Sequence, residues 1–218
     1  MGEARAKSAG SSHATVFIVD DDDSVRKSLA RLFSASGIRT ETFASAEAFM
    51  ARDSYDGLGV IILDIRMPGV DGMQLHAQLN QRQSNLPVIF FSGHADVPTS
   101  VEAMRRGAVH FLTKPVDEDT LLRAVCEAIE RHAELLEHAA QQEQLHALVQ
   151  TLTSRELEIL RYVVSGVTNK QIARELDIAE KTVKVHRAHA MQKLKAGSIV
   201  DLVRCCDLLQ ITPLSAAP

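Results

Sequence analysis

Over the first 115 residues, short apolar runs alternate with amphipathic stretches. The runs "TVFIVD", "IRTETFA", "LGVIILD", "PVIFFS" and "AVHFLT" predict five strands, since β-branched and aromatic residues bounded by turn-forming positions suit a pleated, buried surface. Between them, "SVRKSLARLFSASG", "SAEAFMARD", "GMQLHAQLNQRQ" and "VPTSVEAMRRG" carry helical spacing, and Gly37 and Gly107 are placed to end the first and fourth helices. Strands alternating with helices predict an α/β fold: a doubly wound, five-stranded parallel sheet covered on both faces.

The pattern then changes. No Gly or Pro occurs from Asp117 to Thr151, a stretch too long for one ordinary helix of a compact domain, and a helical linker is expected over residues 124–150. Its apolar positions Leu122, Val125, Ile129, Leu136, Ala140 and Leu148 recur only loosely, which permits a coiled coil without demanding one. From Thr153 onward the spacing is helical throughout: "TSRELEILRYVVSG", "TNKQIAREL", "EKTVKVHRAHAMQKLKA" and "SIVDLVRCCDLL" predict a small all-α domain of four helices, the first opened by a capping box of Thr153 and Glu156. The expected layout is a disordered leader (1–14), an α/β domain (15–123), the linker (124–150), the helical domain (151–211) and a flexible tail (212–218).

Composition adds partners to this layout. With 45% hydrophobic and 24% charged residues the chain is ordinarily globular, and no apolar run is long enough to span a membrane. The leader "MGEARAKSAGSSHA" lacks the apolar core of a signal peptide, so a cytoplasmic protein is expected. Cys126, Cys205 and Cys206 form no CxxC pair and predict neither a zinc site nor a disulfide framework. The net charge of −4 conceals a split: residues 1–150 hold 14 Lys/Arg against 21 Asp/Glu, whereas residues 151–218 hold 10 against 7. The acidic and basic halves should meet different partners.

Ligands of doubly wound sheets bind beyond the carboxyl ends of the strands. Here those ends carry Asp20 and Asp21, Asp64, Ser92, and Lys114 followed by Pro115. The run "DDDD" alone would read as a solvated turn. Asp64, however, closes the apolar run "VIILD", where an acid has little structural excuse. Crowded carboxylates with room for water suit Mg²⁺ (or Mn²⁺), which would offset the repulsion between Asp20 and Asp21. Asp23 is placed to cap the first helix.

In the basic half, "TNKQIARELDIAEKTVKVHR" reads as a scaffold helix, a turn near Asp177, and a second helix whose Lys181, Lys184 and Arg187 recur every three residues on one face. In a helix-turn-helix protein the second helix enters the major groove of DNA, and Val185 and Ala188 are short enough for close approach.

The motifs "VDD" (19–21), "LDIRMPGVDG" (63–72), "FSGHAD" (91–96) and "FLTKP" (111–115) resemble, in order and spacing, the flavodoxin-like receiver domain of two-component response regulators over residues 15 to about 130. That resemblance implies Asp64 as acceptor of a phosphoryl group from a sensor histidine kinase. It implies Mg²⁺ held by Asp20, Asp21, Asp64 and the main-chain carbonyl of Arg66, Lys114 on the phosphoryl oxygens, and Ser92 and Phe111 as the switch hydroxyl and aromatic. Val101, Met104 and Arg105 would form a dimer face, although core packing accounts for the apolar two equally well, and His94 reads as an exposed loop residue. Residues 152 to about 210 resemble the LuxR-type helix-turn-helix domain of FixJ/NarL regulators. By that resemblance Lys184, Val185, Arg187 and Ala188 face base edges, while Asn169, Lys170, Lys181, Thr182 and Lys193 hold phosphates. Ala179 departs from the serine that often caps the recognition helix.

The implied partners are a sensor histidine kinase, double-stranded promoter DNA and, on phosphorylation, a second copy of the chain, with RNA polymerase left open and no membrane. Two rivals fit less well. A haloacid-dehalogenase-like phosphatase using Asp64 needs an acid two residues on, where Arg66 stands, and a ligand-sensing LuxR regulator would have an apolar cavity in place of the acidic pocket.

Overall fold

A computed structural model describes residues 14–93, 96–208, 211, 212 and 214. Residues 1–13 of the expected leader, His94 and most of the expected tail lie outside them, whereas Ala14, expected to belong to the leader, is buried in the core of the first unit. The chain divides into two compact units, Met1–Leu136 and Glu137–Pro218.

In the first unit, β1 (Thr15–Val19), β2 (Arg39–Phe43), β3 (Gly59–Leu63), β4 (Val88–Ser92) and β5 (His110–Thr113) form one parallel sheet in the order β2-β1-β3-β4-β5. Residues of β1, β3 and β4 are buried throughout, as central strands covered on both faces must be, while β2 lies at an edge and exposes Arg39 and Thr42. The side-chain alternation of a strand divides the core into two layers. Val16, Ile18, Val60 and Ile62 pack on one face with α1 (Asp23–Ala35) and α5 (Glu118–Gln150), whereas Phe17, Val19, Ile61 and Leu63 pack on the other with α2 (Ala46–Met50), α3 (Gly72–Gln81) and α4 (Val97–Arg105). Each such fully buried side chain contributes about 2 kcal/mol. The two glycines expected to end helices do so at positive φ, +75° at Gly37 and +95° at Gly107.

The boundary expected after residue 123 falls inside α5. Ala124, Val125, Ala128 and Ile129 belong to the core of the first unit, and His132 is buried with Nδ1 2.9 Å from the carbonyl oxygen of Gly59. The loosely spaced apolar residues in the first half of the expected linker are therefore the face that seats α5 on the sheet. Between residues 137 and 144 every side chain of the helix is exposed.

The second unit packs α6 (Ser154–Val164), α7 (Asn169–Glu175), α8 (Glu180–Lys193) and α9 (Ile199–Leu208) around Ile159, Leu160, Val163, Ile172, Val183, Ala190, Leu194 and Leu202. The capping box forms as expected, with Thr153 Oγ1 accepting from the Glu156 amide and the Glu156 carboxylate accepting from the Thr153 amide. A second one, between Thr168 and Gln171, opens α7. The first residues of the expected tail are tied down: Arg161 Nε donates to Thr212 O at 2.7 Å, and the Leu214 amide donates to Arg161 O at 3.1 Å.

Candidate functional sites

The acidic pocket follows from strand adjacency. Val19 and Leu63 are paired in register, so the next residues, Asp20 and Asp64, lie side by side where the sheet ends. Ladder bonds continue one step into the site: the Asp64 amide donates to Val19 O at 2.8 Å and the Asp20 amide to Phe43 O at 3.1 Å. Lys114 follows β5, and its amide donates to Ser92 O at 2.9 Å. Its Nζ bridges the two buried acids, 2.6 Å from Asp20 Oδ2 and 2.9 Å from Asp64 Oδ1, and lies 5.2 Å from the centroid of the Phe91 ring. The Lys114–Pro115 bond is cis.

The remaining carboxylate oxygens meet main-chain donors. Asp20 Oδ1 accepts from the Asp22 amide at 2.9 Å and Asp64 Oδ2 from the Arg66 amide at 2.8 Å. Burial raises the Asp20 pKa, although the Lys114 ammonium opposes the shift. Burial alone would lower Lys114, but its bonds to Asp20 and Asp64 outweigh that and raise it. The approach of α3 demands Gly72, because a Cβ there would stand 2.1 Å from Asp64 O. The "DG" that closes the stretch "LDIRMPGVDG" thus serves the pocket directly.

Asp21 is exposed at the rim. The helix cap is Asp22, whose carboxylate accepts from Ser24 N at 2.8 Å and Ser24 Oγ at 2.6 Å. Asp23, expected as the cap, is the first helical residue and pairs with Arg26 and Lys27 instead. The helix starts one residue early because Asp22 already has the extended backbone of a cap, ψ 112°.

Among the described residues no three His, Cys, Asp or Glu side chains come together so as to hold a metal ion by themselves. The donor chemistry nevertheless fits a hydrated hard cation. The carboxylates of Asp20 to Asp23 and Asp64 outnumber the cations of Arg26, Lys27 and Lys114 by two, all candidate ligands are oxygens, and Asp21 stands open to water.

In the second unit, α8 exposes Lys181, Lys184, Val185 and Ala188 along one stripe, with Val185 43% exposed. The turn before it places Asp177 at φ +48°, and Ala179 occupies the cap position with no side-chain bond, so the missing serine leaves that helix start uncapped. Arg187 is half-buried and donates from Nη1 to Asn169 Oδ1 at 3.2 Å, tying α8 to α7. Lys193, expected to hold phosphate, does not point outward: its Nζ lies 2.6 Å from Glu156 Oε2 and 3.0 Å from Thr151 O. A buried carboxylate needs a counter-charge, and Lys193 supplies it on one oxygen while His189 Nδ1 lies 3.9 Å from the other.

Two family models cover most of the chain: "Response regulator receiver domain" matches residues 16–126, and "Bacterial regulatory proteins, luxR family" matches residues 150–206. The transcriptional regulatory protein FixJ of Rhizobium meliloti is 45% identical over 194 residues, 87% of this chain and 93% of that protein. This chain is a response regulator of the FixJ type. The response regulator protein TmoT of Ectopseudomonas mendocina is 41% identical over 90% of each chain. The solved structure of the response regulator StyR matches with a TM-score of 0.82 at 42% identity, covering 89% of this chain and 98% of that one.

In this response regulator the two expected switch residues share a sheet face. Ser92 is buried two positions beyond Phe90, and Phe111, half-buried, is the β5 neighbour of Phe90 at a ring distance of 6.2 Å. The alternative of core packing for the α4 residues is settled by exposure: Val97, Val101 and Met104 are 75%, 52% and 47% exposed. Among the described residues no helix is long and apolar enough to cross a membrane.

The Lys193 ammonium holds the Glu156 carboxyl down to about 2 from an ordinary value of 4.5. A depressed acid contributes stability above its unfolded pKa and loses it as pH falls through the folded one. Glu156→Gln keeps the capping box but loses the ion pair. At pH 7 it should destabilise the second unit by about 2 kcal/mol, and the deficit relative to wild type should shrink as pH falls from about 4.5 toward 2, as read by urea unfolding of the full chain.

Proposed function

We propose that this response regulator accepts a phosphoryl group on Asp64 from a sensor histidine kinase and, once phosphorylated, pairs with a second copy to bind promoter DNA. The observation that carries the first half is the position of Lys114 Nζ, held between Asp20 and Asp64 at hydrogen-bond distance from both. Asp20, Asp21, Asp64 and the main-chain carbonyl of Arg66 would hold Mg²⁺ (or Mn²⁺), which when bound offsets charge on the equatorial phosphoryl oxygens. The Asp64 carboxylate attacks in line, forming its O–P bond as the P–N bond to the kinase histidine breaks. Lys114 holds Asp64 Oδ1 at 2.9 Å before transfer and pairs with a phosphoryl oxygen afterward. The new charge draws the Ser92 hydroxyl inward, and Phe111 moves into the space behind it. Apart from phosphorylation and dephosphorylation of its own aspartate, the chain is not an enzyme.

The second half rests on two exposed surfaces. Val97, Val101, Met104 and Arg105 on α4 supply an apolar patch with a basic edge, suited to pairing receivers. Pairing brings two copies of α8 to half-sites about one DNA turn apart, and the second contact becomes nearly intramolecular. The operator is then an imperfect palindrome. Such a regulator works in the cytoplasm, with RNA polymerase as a further partner.

Lys184 pairs with Glu180 at 2.9 Å, but both side chains are exposed, and such a pair holds the lysine weakly enough for it to turn to a guanine edge. Lys184→Ala should weaken specific binding by about 1–3 kcal/mol and leave non-specific binding nearly unchanged, whereas Lys170→Ala should weaken both alike. Competition titrations on operator and random DNA at fixed salt separate the two. Equal losses in both variants would remove Lys184 from base readout.

A further inference from the structure

Arg26 belongs to none of the roles above, yet its guanidinium is the most heavily used donor behind the acidic turn. Nη1 donates to the main-chain oxygen of Asp20 at 2.6 Å, and Nη2 donates to Asp23 Oδ1 at 3.1 Å. The side chain is only 14% exposed, whereas Lys27, the other cation on this turn, is 67% exposed and reaches only Asp23. Arg26 therefore spans the acidic run from behind, gripping its first and last residues.

The geometry points to Arg26 as a positioning residue for the metal site: it fixes the backbone from Asp20 to Asp23, and so the direction in which Asp21 presents its carboxylate. The inference rests on the phosphoacceptor reading above. Asp20 is held by three other bonds, namely its amide to Phe43 O and its carboxylate to Lys114 and to the Asp22 amide. Among the described residues Asp21 has no such support. It is exposed, and its direction depends on the peptide that joins it to Asp20, whose oxygen Arg26 holds. A planar fork can satisfy a carbonyl and a carboxylate together, and a lysine, with one compact ammonium, cannot match both. An exposed acid becomes a useful metal ligand only when its direction is fixed by such a supporting contact.

The sign of the effect on metal affinity separates positioning from simple charge. A cation beside a divalent site repels the metal, so if Arg26 acted only through charge, Arg26→Met would tighten Mg²⁺ and Arg26→Lys would leave it unchanged. Positioning predicts the reverse: both variants weaken Mg²⁺, by about tenfold, as expected for losing one strong hydrogen bond to the turn. The measurement is Mg²⁺ titration by calorimetry on the full chain, repeated with Mn²⁺ by electron paramagnetic resonance. Thermal unfolding checks that each variant is folded, and Asp21→Ala serves as reference.

Weaker binding in both folded variants, approaching that of Asp21→Ala, supports the inference. Tighter or unchanged binding in either variant overturns it. If the wild type itself binds no Mg²⁺, or Asp21→Ala binds as wild type does, the metal reading fails instead. In that case the wild type and the reference variant show it before Arg26 is considered.

Discussion

Asp64→Asn should abolish labelling by acetyl phosphate or by a cognate kinase, a loss of at least several hundredfold in rate. Asp64 is the acid that closes β3, it is 6% exposed, and its two oxygens face the Lys114 ammonium and the Arg66 amide. An asparagine of the same shape can still accept one hydrogen bond, so the fold should survive, but its amide is not a nucleophile toward phosphorus. Phosphorylation is read by electrophoresis in gels that retain phosphoaspartate. Acid-labile phosphate persisting on the variant would refute Asp64 as the acceptor.

Lys114→Ala should be costly in a different way. Its ammonium is the counter-charge of two carboxylates that are 4% and 7% exposed at the side chain. Removing one member of a buried ion network leaves uncompensated charge, at a cost of about 3–5 kcal/mol. The loss should depend on pH with a definite sign. Asp20 already has a raised pKa from burial, and without Lys114 its carboxyl moves higher still. A group whose folded pKa is raised contributes stability that is present at low pH and lost as pH rises through that pKa. The variant should therefore be most deficient near neutral pH, and it should recover part of the deficit on acidification toward pH 5. Millimolar Mg²⁺ should restore stability as well, because it supplies the missing positive charge. Urea unfolding at pH 5 and 7, with and without Mg²⁺, tests all three statements. A deficit that is the same under every condition would show that the lysine contributes packing rather than charge.

The sequence made the sheet and the pocket legible for a common reason. Buried central strands must be continuously apolar, so the acids and the lysine closing "VFIVD", "VIILD" and "FLTK" stood out at the strand ends. Contacts between residues distant in sequence were not legible. Glu156 and Lys193 are 37 positions apart, and nothing in the spacing of α8 marked Lys193 as turned inward rather than toward DNA. Arg187 likewise shares the helical stripe of Lys181 and Lys184, yet it bends toward Asn169 on α7. The domain boundary was misplaced because α5 has a single unbroken helical pattern. Whether Ala124 and Val125 face a sheet or water depends on where the strands run. The cap shifted from Asp23 to Asp22 because four identical residues carry no signal that selects among them.

The central claim is that Asp64 phosphorylation governs DNA binding through pairing of two copies. Full-length protein, wild type and Asp64→Asn, is sedimented and titrated against the operator, each with and without acetyl phosphate and Mg²⁺. The account predicts that wild type shifts from monomer to dimer and gains operator affinity on phosphorylation, that the variant does neither, and that the separate 151–218 segment binds without treatment. A wild-type protein that is already a stable dimer, with operator affinity unchanged by phosphorylation, would contradict it.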